Sequence, residues 1–406
     1  MAQKSTLWKK VRSVFNQIHL YAGLISGLIV VAVCLSGTIY VYNTEIKEWA
    51  DSDRYFVEKG EELLSLDVLK SQLESKLEGK VTSVFVSEDP EKSVQIGFLK
   101  AGEEGRGTTY YVNPYTAEIL ADNSERTSAE EFMSYMFSLH RWLMIDRVEE
   151  QILESMGNRD LGRFINGIAT SLFLLGVITG IFIWVPQKVK GWKQGLKVKW
   201  SGNWKRINHD LHNTLAFYSL IALFIMSATG LFWSFQWYRE GWQKTWDTYQ
   251  APQEEKSEPE EIIVPGPAKE FSLDAVLASS EEILPYSGNT RISLPSDDSE
   301  PIEVAKYRTG FFARAGSDQL SLNQSDLALI DQKLFSDMSV RQQIGRSVKS
   351  LHMGDIFGPF TKFLWFVACL IATSLPVTGT LIWWNKRRKK GSKNKLKKKV
   401  KDLEMA

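Results

Sequence analysis

The sequence predicts an α-helical membrane bundle of four transmembrane helices carrying two external α+β domains, built as a parallel internal repeat. Three observations carry that expectation. Four segments of about twenty residues lack charge: 20–42, 164–185, 215–235 and 363–384. Each is long enough to cross roughly 30 Å of hydrocarbon as a helix. Charge is sharply segregated although the net charge is only +1. Finally, the first and third apolar segments share one pattern, and the second and fourth share another.

The chain opens with residues 1–43, a basic terminus followed by the first apolar segment. Lys4, Lys9, Lys10 and Arg12 precede it. A secretory signal peptide would be shorter and would end at a small-residue cleavage site, so a retained anchor is expected. Residues 44–160 form the first polar stretch. A helix is expected from Ser65 to Leu77, then strands at VTSVFVS and SVQIGFL. TTYYVNPYTAEIL reads as two strands about an Asn113-Pro114 turn. Ser128-x-x-Glu131 has the form of a capping box opening an amphipathic helix, with Phe132, Met136, Phe137, Leu139 and Leu143 as its apolar stripe.

The second apolar segment (161–186) is followed by a loop, 187–210, with Lys188, Lys190, Lys193, Lys197, Lys199, Lys205 and Arg206. The third segment (211–237) leads into residues 238–360. There the Glu- and Pro-rich linker 251–269 is expected to be poorly ordered, 272–280 resembles the earlier helix, and DQLSLNQSDLALI takes the place of the hairpin as a degenerate copy that lacks the Asn-Pro turn. The fourth segment (361–385) ends in a basic tail, 386–406. By the positive-inside rule, both termini and the short loop are cytoplasmic and both long stretches are external. The only cysteines, Cys34 and Cys369, fall inside apolar segments and read as small core residues rather than a disulfide framework.

The repeat pairs the histidines. His19 and His212 open the first and third segments, each followed seven residues on by a serine (Ser26, Ser219) and eighteen on by a glycine (Gly37, Gly230). Leu139-His140 and Leu351-His352 precede the other two segments, which end in Thr179-Gly180-x-x-Ile183-Trp184 and Thr378-Gly379-x-x-Ile382-Trp383. Neutral imidazole is the usual haem-iron ligand in a helical bundle, and facing positions on paired helices build such sites. Two matched pairs predict two haems of the b type, since no C-x-x-C-H sequence offers covalent attachment. Gly23 and Ala216, one turn beyond His19 and His212, leave room for a flat macrocycle. Lys9, Lys10, Arg12, Lys205 and Arg206 are candidate partners for its propionates. His209 competes with His212, being three residues away on the same helical face; the repeat favours His212, because His19 has no counterpart three residues earlier. The plainer alternatives are a wet interfacial histidine for His19 and His212, and simple packing for His140 and His352. Trp233, Trp237, Trp242 and Trp246 read mainly as interfacial anchors. The basic runs suit an anionic lipid leaflet, and nucleic-acid binding is not needed to explain them. No phosphate loop or nucleotide fingerprint occurs.

The external helix followed by a sheet ending in YVNPYTAEIL resembles a PepSY domain. The four apolar helices with their entering Leu-His motifs resemble the PepSY-associated transmembrane family over nearly the whole chain. That resemblance implies a multi-pass protein of the bacterial inner membrane and a haem-dependent ferric-siderophore reductase. Electrons would pass from a cytoplasmic flavin- or NAD(P)H-linked donor to a ferric siderophore or other ferric chelate outside. Two other readings stand beside it: a quinol-linked di-haem cytochrome, and a membrane-anchored PepSY regulator of a secreted protease with no enzymatic activity.

Overall fold

The computed structural model describes residues 2–103, 105, 107–185, 192–250, 271–297 and 299–404. The 251–269 linker, with Lys188 and Lys190 of the basic loop, lies outside the described residues.

Helix α1 (Ala2–Tyr40) is followed by the short helices α2 (Asn43–Ala50) and α3 (Ser52–Tyr55), then α4 (Leu66–Lys76). Strands β1 (Gly79–Val86), β2 (Val94–Lys100), β3 (Thr108–Val112) and β4 (Ile119–Asp122) lead to α5 (Ser128–Trp142) and α6 (Asn158–Trp184). After α7 (Trp192–Gly195), α8 (Trp204–Ser234) and α9 (Gln236–Thr245), the same order returns. It runs α10 (Leu273–Ile283), β5 (Gly288–Ser293), β6 (Ile302–Arg308), β7 (Ser317–Leu322), β8 (Leu329–Lys333), α11 (Val340–Arg346), α12 (Val348–Met353) and α13 (Gly358–Glu404).

Four helices are long and apolar enough to cross a membrane: Trp8–Tyr40, Asn158–Trp184, Trp204–Ser234 and Gly358–Arg388. This is a multi-pass membrane protein. The helices overrun the charge-free runs, because an amphipathic first turn or two adds helix without adding hydropathy. His19 and His212 therefore lie inside α1 and α8 rather than at their ends. α1 packs on α6 and α13, and α8 packs on the same two, so α1 and α8 sit diagonally. Ile25, Leu28 and Ile221 remain exposed on outer faces, as lipid-facing residues should. Hydroxyls inside the bundle bond back to their own helix, as Ser26 to Ala22 and Ser219 to Leu215 do, so these hydroxyls are not left unpaired in hydrocarbon.

The two polar stretches do not fold as separate domains. They share one antiparallel eight-stranded sheet in the order β4-β3-β2-β1-β5-β6-β7-β8. The join is β1 on β5, with Val84 opposite Ile292 and Phe85 opposite Arg291. α4 and α10 cover this sheet. Leu69, Leu73, Ile96, Phe98, Leu273, Ile292, Ile302, Leu320 and Leu322 form one continuous core from both halves. The two covering helices also cap each other. Asp274 accepts from the Ser65 hydroxyl and the Leu66 amide, while Asp67 accepts from the Ser272 hydroxyl at 2.5 Å and the Leu273 amide at 2.8 Å. Each carboxylate thus satisfies donors that a helix start leaves open and meets the positive end of the other's dipole.

Two sequence expectations need adjustment. The capping box of α5 is Thr127 with Glu130, one residue earlier than Ser128 with Glu131. Tertiary partners decide the register: Thr127 donates to Asp51 at 2.6 Å and Glu130 pairs with the buried Arg54 at 3.0 Å. The β7–β8 turn, which lacks proline, nevertheless matches the β3–β4 turn. Asn113 and Asn323 each accept from the amide two residues on, at 2.8 Å. Ala117 and Leu327 then take the same left-handed φ of 56°.

Candidate functional site

Four of the five histidines meet in two pairs at opposite ends of the bundle. On the side of the chain termini, His19 of α1 faces His212 of α8, with ring centroids 6.2 Å apart and planes at 85°. On the sheet side, His140 of α5 faces His352 of α12, with centroids 6.0 Å apart and planes at 54°. The levels are set by α1. From His19 to the turn at 33–37 that holds His140 is sixteen residues, about 24 Å of helix. Val177, Leu223 and Ala372, with Phe173, Leu220 and Leu375 against them, pack the bundle between the two levels.

Each imidazole is seated by the same local device on a neighbouring helix. His19 lies against Gly180, His140 against Gly37, His212 against Gly379 and His352 against Gly230; a Cβ there would meet the ring at 3.5, 2.8, 3.2 and 3.2 Å respectively. The ring's Nδ1 then reaches a backbone carbonyl or a hydroxyl of that same turn. His19 Nδ1 lies 2.9 Å from the Gly176 carbonyl, His140 Nδ1 2.8 Å from Val33, and His352 Nδ1 3.0 Å from Met226. A carbonyl only accepts, so Nδ1 carries the proton in these three. His212 Nδ1 lies 2.9 Å from Thr378 Oγ1, whose own proton goes to the Ser374 carbonyl at 3.0 Å. That leaves the fourth Nδ1 as donor too. Thr179 and Thr229 add a second contact to His19 and His352 at 3.3 and 3.1 Å. All four Nε2 atoms make no hydrogen bond among the described residues, which leaves their lone pairs unused.

The elements that carry the sheet-side pair are fixed independently. α5 is clamped at its start by the Thr127 box and at its end by Asn166 of α6, which donates to the His140 carbonyl at 2.7 Å. Leu143, in the left-handed region with φ 57°, terminates it. α12 ends at Gly354 (φ 85°), where any side chain would strike Trp365; the Trp365 indole donates to the Leu351 carbonyl at 2.9 Å. Trp233 lies 5.2 Å from the His352 ring, so it belongs to the site. Trp242 and Trp246 instead pair at 5.7 Å, and Trp242 donates to the Gly345 carbonyl of α11. Burial pushes the His140 and His352 imidazoles below their ordinary pKa, which keeps them neutral as a metal requires.

A cavity of about 600 Å³ adjoins the terminal-side pair, lined by His19, His212, Gly23, Ala216, Trp184 and Trp383 among others. Gly23 leaves open space beside it. His209 reaches the cavity rim, yet its half-exposed ring is engaged with Asn213 at 3.0 Å and does not face His19. The basic residues expected around this pair are partly employed elsewhere: Arg12 donates to the Ile183 carbonyl at 2.7 Å and Arg206 pairs with Asp210 at 2.7 Å. Lys386, not singled out in the sequence, is the lysine that lines the cavity. Cys34 and Cys369 are both free, with the Cys369 thiol against the Cys34 carbonyl at 3.2 Å.

The donor set can be tested against a haem. Two imidazoles sharing one metal, each bonded at about 2 Å, place their centroids about 6 Å apart, as both pairs are. Holding Nδ1–H on a carbonyl is the arrangement that orients metal-ligating imidazoles. Among the described residues no group of three or more His, Cys, Asp or Glu could hold a metal ion. A bare ion would find two protein ligands here, whereas a porphyrin brings four nitrogens of its own and needs only the axial two. The residues present fit that group.

A family model described as PepSY-associated TM region matches residues 16–386. No curated protein matches the chain.

Proposed function

Because the chain belongs to the PepSY-associated transmembrane region family, we propose that it is a di-haem reductase of the bacterial inner membrane, passing electrons outward to a ferric chelate. The halves are read as a parallel repeat about an axis along the bundle, and the sheet as two PepSY-like units fused edge to edge. The observation that carries the reading is the pair of facing imidazole couples at the two ends of the bundle, every one with its Nδ1 anchored and its Nε2 free.

When bound, b-type haem supplies one-electron carriage between its ferric and ferrous states. The chain's own residues do the rest. His19 with His212, and His140 with His352, would hold the two groups through their imidazole nitrogens; Gly37, Gly180, Gly230 and Gly379 let the rings sit close; the hydroxyls and carbonyls beneath fix their tautomer. The apolar packing around Phe173 keeps water from the interval between the two levels. By the positive-inside rule the basic loop and tail support a cytoplasmic His19/His212 level, reached by a flavin- or NAD(P)H-linked donor. His140 and His352 lie on the opposite side, beneath the sheet, where a ferric siderophore is the expected acceptor. One electron reduces each ferric ion, and the ferrous ion is held less firmly by hard oxygen ligands such as hydroxamates or catecholates. This chemistry uses no nucleophile and no general acid or base.

The test is a visible spectrum of the detergent-purified protein with a haem-to-protein ratio, followed by anaerobic addition of a ferric hydroxamate to the dithionite-reduced protein. Two low-spin b-type haems per chain and their reoxidation by the chelate are expected. A colourless protein refutes the reading, and reduction by a quinol analogue without reoxidation by the chelate redirects it to a quinol-linked cytochrome.

A further inference from the structure

Beside the sheet-side histidine pair, four arginines converge with too little negative charge to match them. Arg141 follows His140 at the end of α5, Arg159 and Arg163 lie one turn apart at the start of α6, and Arg239 lies on α9. Arg141 and Arg159 share the Trp142 ring, at 5.4 and 4.6 Å from its centroid. The carboxylates available on α6 and α9 are already engaged: Asp160 with Arg163 at 2.5 Å, and Glu240 with Gln236 at 3.0 Å. Arg239 reaches only the Phe232 carbonyl, at 3.4 Å. Arg141 makes no hydrogen bond or ion pair among the described residues, and its Nε is buried without a partner. The charges that act on Arg141 are those of Arg163, Arg239 and Arg159, all positive.

A guanidinium withdrawn from water among like charges is costly to leave uncompensated. Its planar fork matches a carboxylate better than any other common anion except phosphate. We propose that Arg141, Arg159, Arg163 and Arg239 form a carboxylate-binding site flanking the His140/His352 pair. Arg141 is half-buried with its Nε withdrawn from water, and Arg159 is the exposed member. The carboxylate has two possible sources. One is a propionate of the macrocycle held by His140 and His352, and this arm rests on the haem reading above. The other is a soluble carboxylate ligand that enters from the sheet side and needs no haem. The second half does not repeat the arginine: the position after His352, equivalent to Arg141, is Met353.

Full-length protein in detergent, in a His212→Ala background that leaves only the sheet-side pair, is titrated with iron protoporphyrin IX and with its dimethyl ester. The ester keeps the iron and the ring but carries no carboxylate. If a propionate is the occupant, the diacid binds at least tenfold more tightly than the ester. R141Q and R239Q each remove that preference while leaving the affinity for the ester unchanged. If the occupant is external, diacid and ester bind alike, and citrate raises the thermal midpoint of the parent protein but not of R141Q. Equal binding of diacid and ester with no effect of citrate overturns the proposal. Should neither macrocycle bind, the haem reading fails by itself, and the citrate measurement alone decides whether the arginines bind carboxylate. R239Q serves where R141Q does not fold, because it gives up a long 3.4 Å contact to the Phe232 carbonyl and packing on that ring.

Discussion

The sharpest consequence of the histidine seats is a graded series of glycine-to-alanine substitutions. A Cβ at Gly37 would lie 2.8 Å from His140 Cε1 and 2.9 Å from its Nδ1, whereas ordinary contact begins at 3.4 Å. The ring must therefore retreat by at least about 0.6 Å, while its Nδ1 is held at 2.8 Å by the Val33 carbonyl. Ligand geometry tolerates errors of roughly 0.5 Å, so the displacement exceeds what an axial bond absorbs. Overpacking of this kind costs about 1–3 kcal/mol, which is roughly a tenfold to hundredfold loss of affinity for the sheet-side haem. Gly230→Ala and Gly379→Ala meet their rings at 3.2 Å and need a shift of a few tenths of an ångström, so their losses fall below that of Gly37→Ala. Gly180→Ala meets His19 at 3.5 Å, an ordinary contact, and should be harmless. It should even stiffen α6, by about 0.5–1 kcal/mol. The assay is haem stoichiometry and retention under mild heating, read from the Soret band of each purified variant. Gly180→Ala losing haem as readily as Gly37→Ala would show that the glycines do not act by seating the imidazoles.

His19→Ala and His212→Ala should each remove the terminal-side haem, and His140→Ala and His352→Ala the sheet-side one. His209→Ala should keep both; a stoichiometry of one for His209→Ala and two for His212→Ala would reverse the ligand assignment. Thr378→Val removes the hydroxyl that lies 2.9 Å from His212 Nδ1 and should weaken that haem about tenfold to a hundredfold. Ser36→Ala should have little effect, since the Ser36 hydroxyl bonds to Ala32 and Val33 carbonyls rather than to His140; haem-release rates separate the two cases. Asp274→Asn should lower stability at neutral pH by about 0.5–2 kcal/mol through loss of a helix cap. Burial by itself raises the Asp274 carboxyl, but hydrogen bonds from Ser65 and the Leu66 and Asp67 amides outweigh it and hold the pKa below its ordinary value. A depressed carboxyl stabilises fully above the unfolded value near 3.9 and loses that contribution as pH falls through the folded one. Tryptophan-fluorescence melts below pH 4 should thus fall more gently for Asp274→Asn than for the parent, and parallel acid limbs would contradict this.

What the sequence discloses follows from the range of each interaction. Hydropathy locates the four spans because lipid forbids charge over a contiguous run. It misses the starts of α1 at Ala2 and α8 at Trp204, where helix continues through amphipathic turns. The histidine couples were legible because equivalent positions in the two halves meet across the diagonal of the bundle. Their seats were not. The Thr-Gly pairs stand out as repeated motifs, but Gly37 touches a ring 103 residues away in sequence and Gly379 one 167 away, and no local pattern reports such a contact. The fusion of the two polar stretches was hidden for the same reason. VTSVFV reads identically as an edge or a central strand, and only its pairing with 288–293 makes it central. In the β7–β8 turn the missing proline drew attention away from Asn323, whose side chain accepts the Ser325 amide as Asn113 accepts that of Tyr115. At α5 two overlapping capping boxes satisfy the same local rule, and the choice falls to Asp51 and Arg54.

A carrier with matched ligand pairs at both ends has no built-in direction, so on the proposed reading direction must come from residues where the halves differ. The histidines, their glycines and their anchoring carbonyls are the shared part. The differences lie around them. The terminal-side pair opens to a cavity whose rim carries Asn16, Asn213 and Lys386. The sheet-side pair has instead the unpaired Arg141 and Trp233 packed on one ring only. A cationic surround stabilises the reduced, less positive state of a neighbouring metal centre. The four arginines by themselves therefore make the sheet-side centre the easier to reduce, which is the order that outward flow requires. A bound carboxylate would moderate that bias without abolishing it, since one anion does not cancel three excess cations. Potentiometric titration of His212→Ala and His140→Ala, each retaining one haem, tests this directly. The sheet-side haem should show the higher midpoint, and R141Q should lower it without moving the other. A terminal-side haem with the higher midpoint would mean that the arginines do not set the order of transfer.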